Sequence, residues 1–252
     1  MNEITLKPSY WASVSGGKDS MYMLYLILNN PDKYPLDGVV HFELETDYPF
    51  IRNVIDKLEI ELKPRGIKML RIKPSTSWKE LYNKYGYPTG KVRWCNGQYK
   101  LDARRQLEKM LKENNCYCMH YIGYCADEKN RFEKRKNGKI TEIYPLADFE
   151  IYEETILQWA KNEPMFNDFY KYNKRCGCMG CPLSSRIELA YFRKYYPVLF
   201  YEYMTLAIKT ENEHNISVWQ GNRKYNTKYV IKNVENKYLP KLNEVIKNGK
   251  NL

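Results

Sequence analysis

Tyr10 to Val14 is a short apolar, β-branched run that stops at Ser15-Gly16-Gly17-Lys18-Asp19-Ser20, after which Met21, Leu24, Tyr25 and Leu28 recur at helical spacing. Strand, glycine loop and helix in immediate succession constrain this chain more than any other feature. Such a turn aims successive backbone N–H groups at one concave point, where the positive end of the helix dipole also acts, so an anionic phosphate fits there. Gly16 and Gly17 allow a sharp turn and close approach of a ligand. Lys18 adds a mobile positive charge, and the hydroxyls of Ser15 and Ser20 can donate to phosphate oxygens. Asp19 is a candidate to orient the loop or to help hold Mg²⁺. The order G-x-x-x-x-G-K-S/T is absent, since Lys18 is followed by Asp, so a different nucleotide-binding class is expected. The alternative, a glycine turn without a ligand, is disfavoured by the strand before it and the amphipathic helix after it.

The same alternation continues downstream. Val39 to Leu44 reads as a second strand, Phe50 to Leu62 as a helix, and Ile67 to Ile72 as a third strand after the Pro64-Arg65-Gly66 break. A loop rich in Tyr, Gly and Pro (Tyr82 to Gly90) leads to a helical stretch from Gly97 to Asn114. A buried strand from Cys116 to Tyr124 and a short one near Glu142 to Tyr144 follow. Strands alternating with helices predict an α/β fold with a doubly wound, mostly parallel five-stranded sheet and its ligand at the strand C-terminal ends. Beyond Pro145 the strand signals fade, and Glu150 to Asn162, Arg186 to Tyr196 and Leu199 to Thr210 look helical. The expected division is a nucleotide-binding domain over residues 1–165 and a helical, cysteine-bearing part over 166–252, with a soft boundary.

With 43% hydrophobic residues and 24 Tyr, the chain has the composition of a folded globular protein. Met1 to Ser13 lacks the apolar stretch of a signal peptide, and the longest apolar run, Met21 to Leu28, is too short to span a bilayer. A cytoplasmic protein with no membrane partner is expected. In that reducing setting seven Cys, three of them in Cys176-Gly177-Cys178-Met179-Gly180-Cys181, point to a metal rather than to disulfides. The net charge of +11 is concentrated at the C-terminal end, where residues 221–252 hold eight Lys or Arg against Glu235 and Glu244. A basic face of that kind attracts polyanions such as tRNA or DNA, and a solvated lysine-rich helix is an equal alternative.

The glycine loop after a first strand resembles the PP-loop of the phosphoadenosine phosphosulfate (PAPS) reductase family and related ATP pyrophosphatases. The resemblance extends through five further segments in order, spanning about residues 10 to 185. Glu45-Thr46-Asp47-Tyr48-Pro49 is similar to the family's Asp-Thr-Gly segment that ends in Pro, with Glu45 and Asp47 departing from it. Arg93-Trp94-Cys95 with Lys100 resembles R-W-C-x-x-x-x-K. Ile122 to Glu128 resembles I-G-x-R-x-D-E, with Cys125 where Arg is usual. Tyr144-Pro145-Leu146 and Lys174 to Pro182 complete the series. The resemblance implies binding of ATP or a sulfonucleotide across the C-terminal edge of the sheet. Arg93 and Lys100 would then face the anionic end of the substrate, and Glu45, Thr46, Gly123 and Asp127 would lie around the nucleoside. Lys18, Asp19, Arg93 and Lys100 are the candidate catalytic residues.

Thiolates are soft donors, and Cys178-x-x-Cys181 brings two to one metal; four complete either tetrahedral Zn²⁺ or an iron–sulfur cluster. Related family members take further ligands from the position of Cys95, some from two adjacent cysteines. Trp94 occupies the neighbouring position here, so the nearest candidate for the fourth thiolate is Cys176. The expected set is Cys95, Cys176, Cys178 and Cys181, holding a [4Fe–4S] cluster in preference to zinc. Cys116 and Cys118 read as core, and Cys125 as a sulfur carrier or as packing. His41, His120 and His214 show no ligand spacing and receive no role. The first functional expectation is an ATP-dependent, adenylating sulfurtransferase, served by a sulfur-donor protein such as a cysteine desulfurase. The second is a PAPS reductase, or a reductase of its unphosphorylated relative APS. No cysteine follows Cys181, and the Glu-Cys-Gly segment that carries the reductase nucleophile is missing, which ranks this second. The third is a non-catalytic, zinc-containing nucleic-acid-binding protein with a vestigial loop. Oligomeric state is left open.

Overall fold

The structure, a computed structural model, describes residues 6–133, 141–219 and 225–249. Along the chain run β1 (Lys7–Ser13), α1 (Lys18–Leu28), β2 (Gly38–Phe42), α2 (Pro49–Leu62), β3 (Met69–Ile72), α3 (Trp78–Tyr85), a π-helical turn (Cys95–Lys100), α4 (Leu101–Glu113) and β4 (Cys116–Tyr121). The remaining elements are α5 (Lys129–Glu133), β5 (Glu142–Ile143), α6 (Pro145–Asp148), α7 (Glu153–Asn162), α8 (Phe169–Tyr172), α9 (Arg186–Tyr195), α10 (Pro197–His214), α11 (Thr227–Asn233), a second π-helical turn (Val234–Tyr238) and α12 (Leu239–Lys247).

These elements pack as two compact units. The first comprises the described parts of Met1–Leu44, Pro49–Ser75 and Leu101–Asn167. It is an α/β layer structure around a five-stranded sheet of order β3-β2-β1-β4-β5, in which every pairing is parallel. The central strand β1 sets Trp11 against Gly38 on one side and His120 on the other. Strands buried on both faces need helices on both faces. α2 turns Phe50, Ile51, Val54, Ile55, Leu58 and Leu62 inward at the 3.6-residue period, and α4 adds Ala103 and Leu107 to a cluster with Trp11, Val40, Ile72 and Cys118. The chain builds β1, β2 and β3 outward in one direction and then crosses to β4 on the other side of β1. The point where the order reverses therefore lies between the C-terminal ends of β1 and β4, where sheets of this kind bind ligands.

The second unit comprises Glu45–Tyr48, Thr76–Lys100 and the described parts of Asp168–Leu252. The sequence reading cut the chain once, near 165; the structure leaves the sheet unit at Asn167, but two earlier excursions also pack with the C-terminal helices. Aromatic side chains hold this unit together. Tyr48 meets Phe169 and Phe192 with ring centroids 5.7 and 5.6 Å apart, and Trp78 stacks on Tyr82 at 5.5 Å while also touching Trp94 and Tyr203. α3 was missed in the Tyr-rich loop, although Ser77 and Glu80 announce it. The Ser77 hydroxyl accepts the Glu80 N–H at 3.2 Å and the Glu80 carboxylate accepts the Ser77 N–H at 2.8 Å, a capping box. The helix expected over Gly97 to Asn114 is divided into the π-helical turn and α4.

Candidate functional site

β1 delivers the glycine loop under firm restraint. The Val14 N–H donates to the Val40 carbonyl at 2.8 Å, and the His41 Nδ1–H donates to the Val14 carbonyl at 2.8 Å. Ser13 Oγ lies 3.1 Å from His120 Nδ1, and the other ring nitrogen of His120 is 3.4 Å from the Glu108 carboxylate. Both histidines, given no role from spacing alone, thus brace the strand end that precedes the loop. Burial holds both imidazole pKa values below the ordinary 6.5, against the opposing pull of the Val14 carbonyl on one and Glu108 on the other.

The loop turns at Gly16, whose φ of +77° suits glycine and whose missing Cβ would stand 2.8 Å from Ile51 Cγ2. Ser20 closes it: its hydroxyl donates to the Gly17 carbonyl at 3.0 Å and accepts the Ser15 N–H at 3.1 Å. Ser20 is therefore occupied in lacing the loop, while Ser15 is exposed. Gly17 caps α1 with no side-chain cap bond, so the positive end of the helix dipole faces the loop.

Lys18 corrects one expectation. Its side chain is 1% exposed and its ammonium lies 2.6 Å from Asp19 and 3.4 Å from Glu153, so it is a fixed internal charge rather than a mobile one. A buried ammonium has to be paired. Burial alone would lower its pKa, but Asp19 and then Glu153 overcome this and the net shift is upward, which keeps it charged. Glu153, which the sequence reading missed, also donates its backbone N–H to Asp127 at 3.3 Å and so joins Asp127 to the loop lysine.

After β4 the chain leaves the sheet at Tyr121, three residues before the expected end, and approaches the loop. A Cβ on Gly123 would lie 2.8 Å from the Asp19 carbonyl oxygen and 3.1 Å from the Ser20 nitrogen. Two residues on, Cys125 is 1% exposed and its thiol donates to Asp19 Oδ1 at 3.6 Å. Burial, and then the Asp19 charge, push its pKa up. The sheet unit thus gathers Ser15 to Ser20, Gly123, Cys125, Asp127 and Glu153 at the switch point.

The other predicted residues fall in the second unit. Cys95, Cys176, Cys178 and Cys181, together with Thr46, Arg93 and Lys100, border one cavity of about 200 Å³. The π-helical turn has a five-residue hydrogen-bond period, which sets Cys95 and Lys100 one turn apart. The cysteine loop is pinned at three places: Met179 N–H to the Thr46 carbonyl at 2.8 Å, Gly177 N–H to buried Glu188 at 3.1 Å, and Tyr87 hydroxyl to the Gly180 carbonyl at 2.8 Å. Glu45 is held by its own N–H donating to the Tyr99 hydroxyl at 2.9 Å. The Cys178 sulfur beside Lys100, with which the lysine makes a hydrogen bond, raises the lysine pKa. Burial pushes up the thiols of Cys176 and Cys95, and that of Cys181 to about 11. Among the described residues no three Cys, His, Asp or Glu side chains group so as to hold a metal ion. The four thiols share a cavity without closing on one point, whereas tetrahedral zinc would draw its sulfurs to about 3.8 Å from one another. Cys118 is buried in the sheet core as expected, and Cys116 at the start of β4 is half-buried.

An open, doubly wound, all-parallel sheet with a glycine loop and an uncapped helix N-terminus at its switch point defines a nucleotide-binding type of α/β protein. Residues 9–184 match the family model for the phosphoadenosine phosphosulfate reductase domain, and the chain belongs to that family. It is 28% identical over 202 residues to the uncharacterized protein MJ0973 of Methanocaldococcus jannaschii, a match covering 75% of this chain and 45% of that one. The chain thus spans about half the length of that relative. Among solved structures it is similar to the U34-tRNA thiolase NcsA from Methanococcus maripaludis with its [4Fe-4S] cluster. That similarity amounts to 17% identity and a TM-score of 0.40, over 92% of this chain and 83% of the other. A likeness so loose carries no argument about chemistry. No helix among the described residues is long and apolar enough to cross a membrane.

Proposed function

We propose that the chain is an ATP-dependent, adenylating sulfurtransferase with a [4Fe–4S] cluster on Cys95, Cys176, Cys178 and Cys181. The observation that carries this reading is that these four thiols border a single cavity together with Arg93 and Lys100. In a [4Fe–4S] cluster each of four thiolates takes a different iron, and four cysteines on one cavity supply that number. When bound, the cluster supplies iron with affinity for sulfur. The glycine loop and the positive end of the α1 dipole hold the phosphates of ATP, Asp19 helps carry Mg²⁺, and Lys18 orders the loop from within. Arg93 and Lys100 steady the anionic end of the substrate. Gly123 and Asp127, both in the sheet unit with the loop, are assigned to the surroundings of the nucleoside.

A substrate oxygen attacks the α phosphorus, forming an O–P bond as the bond to the β phosphate breaks and pyrophosphate leaves. A nucleophile with sulfur at the sulfide level then forms a C–S bond, and AMP departs with the electron pair of the broken C–O bond. No net oxidation occurs. The sulfonucleotide reductase reading needs a free thiolate, and Cys125, the cysteine beside the loop, is buried and held protonated. Lys228, Lys232, Lys237, Lys241 and Lys247 of the C-terminal helices are all exposed and suit a polyanionic partner such as tRNA or DNA. A sulfur-donor protein such as a cysteine desulfurase is the second partner assigned.

Anaerobic purification followed by iron and sulfide analysis should give about four of each per chain. Pyrophosphate should be released from ATP, and Ser15→Ala should weaken nucleotide binding roughly tenfold without unfolding the protein. Zinc with no pyrophosphate release would sink the proposal, and sulfite formed from PAPS or APS would replace it with reduction.

A further inference from the structure

The cysteine-bearing unit contains a second cavity, of about 900 Å³, which no step above uses. Four aromatic residues border it: Tyr85 is exposed at the rim, while Tyr87, Trp94 and Trp219 are buried behind its wall. The two indoles are fixed, Trp94 donating its Nε1–H to the Gly86 carbonyl at 3.1 Å and Trp219 to the Thr227 hydroxyl at 2.9 Å. Trp94 and Tyr85 stand with ring centroids 6.1 Å apart and planes tilted by 34°, and Tyr85 is 42% exposed at the rim. Among the described residues no Asp or Glu borders the cavity, whereas Lys91 and His214 do, both exposed.

Lys91 sits on a rigid turn. The Thr89 hydroxyl accepts the N–H groups of Lys91 and Val92 at 3.2 and 2.8 Å, and the Gly90 N–H donates to the Val218 carbonyl at 3.1 Å. The exposed ring of Tyr85, held against Trp94, offers stacking to a flat ring, and the exposed Lys91 ammonium at the rim suits a phosphate. Polar groups of Thr89, Asn215 and Ser217 also border it and can meet a base edge or a ribose. The volume falls within the range of about 300–1,000 Å³ found for small-molecule sites. An acidic peptide would call for several cations and would leave the aromatic walls unused.

We propose that this cavity binds one nucleobase together with its phosphate, taken either from a free nucleotide or from an unpaired residue of a single strand. The site shares no residue with the glycine loop and does not depend on the sulfurtransferase reading. Tyr87 borders this cavity and the one that the cysteines line, so a base held here lies one side chain away from the cysteines.

The test is fluorescence anisotropy of the full chain with labelled AMP and with a short labelled single-stranded oligouridylate lacking terminal phosphates. Tyr85→Ala is expected to weaken binding of at least one probe about tenfold, and Lys91→Ala to flatten its salt dependence by about one unit of slope. Val92→Glu, at a position 64% exposed on the cavity wall, should abolish the Tyr85-sensitive part of the binding by placing a carboxylate there without burdening the fold. Loss for AMP alone makes the ligand a free nucleotide, and loss for the oligomer alone makes it a strand. Unchanged affinity for both probes in all three variants overturns the proposal. So does an acidic peptide that binds as tightly and is equally weakened by Tyr85→Ala. Ser15→Ala, which probes the glycine loop, should leave the Tyr85-sensitive binding intact, so the two readings can fail separately.

Discussion

The glycine loop of the sheet unit and the cysteine loop of the helical unit are both tight turns suited to hold a charged group, yet they are fixed by opposite means. The first is a junction between regular elements, where Val14 is in the ladder with Val40 and Ser20 ties the turn to the start of α1. The second is an irregular stretch from Arg175 to Pro182 that depends on distant anchors: the Thr46 carbonyl, the Glu188 carboxylate and the Tyr87 hydroxyl. A loop made by its neighbours in sequence is preformed. A loop made by remote side chains is as strong as each anchor, and single substitutions should therefore act differently in the two units.

The largest effect is expected at Glu188. It is 1% exposed and accepts the Gly177 N–H between two of the cysteines, so Glu188→Ala leaves a half-buried donor unpaired and a void beside it. A loss of about 2–4 kcal/mol in urea unfolding is expected, with faster hydrogen exchange at Gly177 and a lower iron content. Glu188→Gln keeps an acceptor oxygen and should recover most of this; a Gln variant as weak as the Ala variant would remove the anchor role. Gly123→Ala probes the sheet unit in the same way. Its Cβ would meet the Asp19 backbone at 2.8 Å, and backbone cannot swing aside as a side chain can. Overpacking of about 1–3 kcal/mol and about tenfold weaker ATP binding are expected. Gly97→Ala, in the π-helical turn with no atom within 4 Å of the new Cβ, is the matched control and should be neutral or slightly stabilising.

The same contrast explains what could be read from the residues alone. Parallel strands and the glycine loop depend on local chemistry, apolar runs of period two or 3.6 and glycines at a junction, so Ser15 to Ser20 and the five strands were legible. Glu153 was not, because nothing in its neighbourhood records that it meets Lys18 across 135 positions. Nor was the fixed state of Lys18, since burial is a property of the packed molecule. Glu45-Thr46 and Arg93 to Lys100 were recognised by motif, but their packing with the C-terminal helices comes from aromatic contacts between remote residues such as Tyr48 and Phe192. Periodicity does not register such contacts.

A smaller effect distinguishes the units by pH. His41 and His120 are buried in the sheet unit, while His214, the remaining histidine of the chain, is exposed in the other. Because the folded pKa of His41 lies below 6.5, the unfolded chain takes up its proton first as pH falls. Its stabilising contribution is therefore complete above 6.5 and is lost progressively from 6.5 down to the lowered folded value. His120 acts in the same direction. Glu43 and Arg71, the charges acting on His41, pull its pKa up and down respectively. Each histidine accounts for at most about 1.4 kcal/mol per pH unit in that window. Urea midpoints at about pH 7.5 and about pH 5.5 should show the slope, and His41→Gln should remove about half of it. An unchanged slope would assign the acid sensitivity elsewhere.

The smallest effect is expected where the two regions invite the most direct confusion, at Cys125. It stands beside the glycine loop, as a sulfur carrier would, but it is 1% exposed and its thiol is spent on Asp19 Oδ1. A reactive cysteine needs an accessible thiolate, and burial here pushes the thiol pKa upward. Cys125→Ala should change pyrophosphate release and sulfur transfer by less than about threefold, consistent with the loss of one weak donor. The native thiol should resist alkylation until the protein unfolds. If Cys125→Ala instead abolished sulfur transfer while leaving pyrophosphate release intact, the sulfur chemistry would belong to the sheet unit, and the cysteine loop would be left with a structural role.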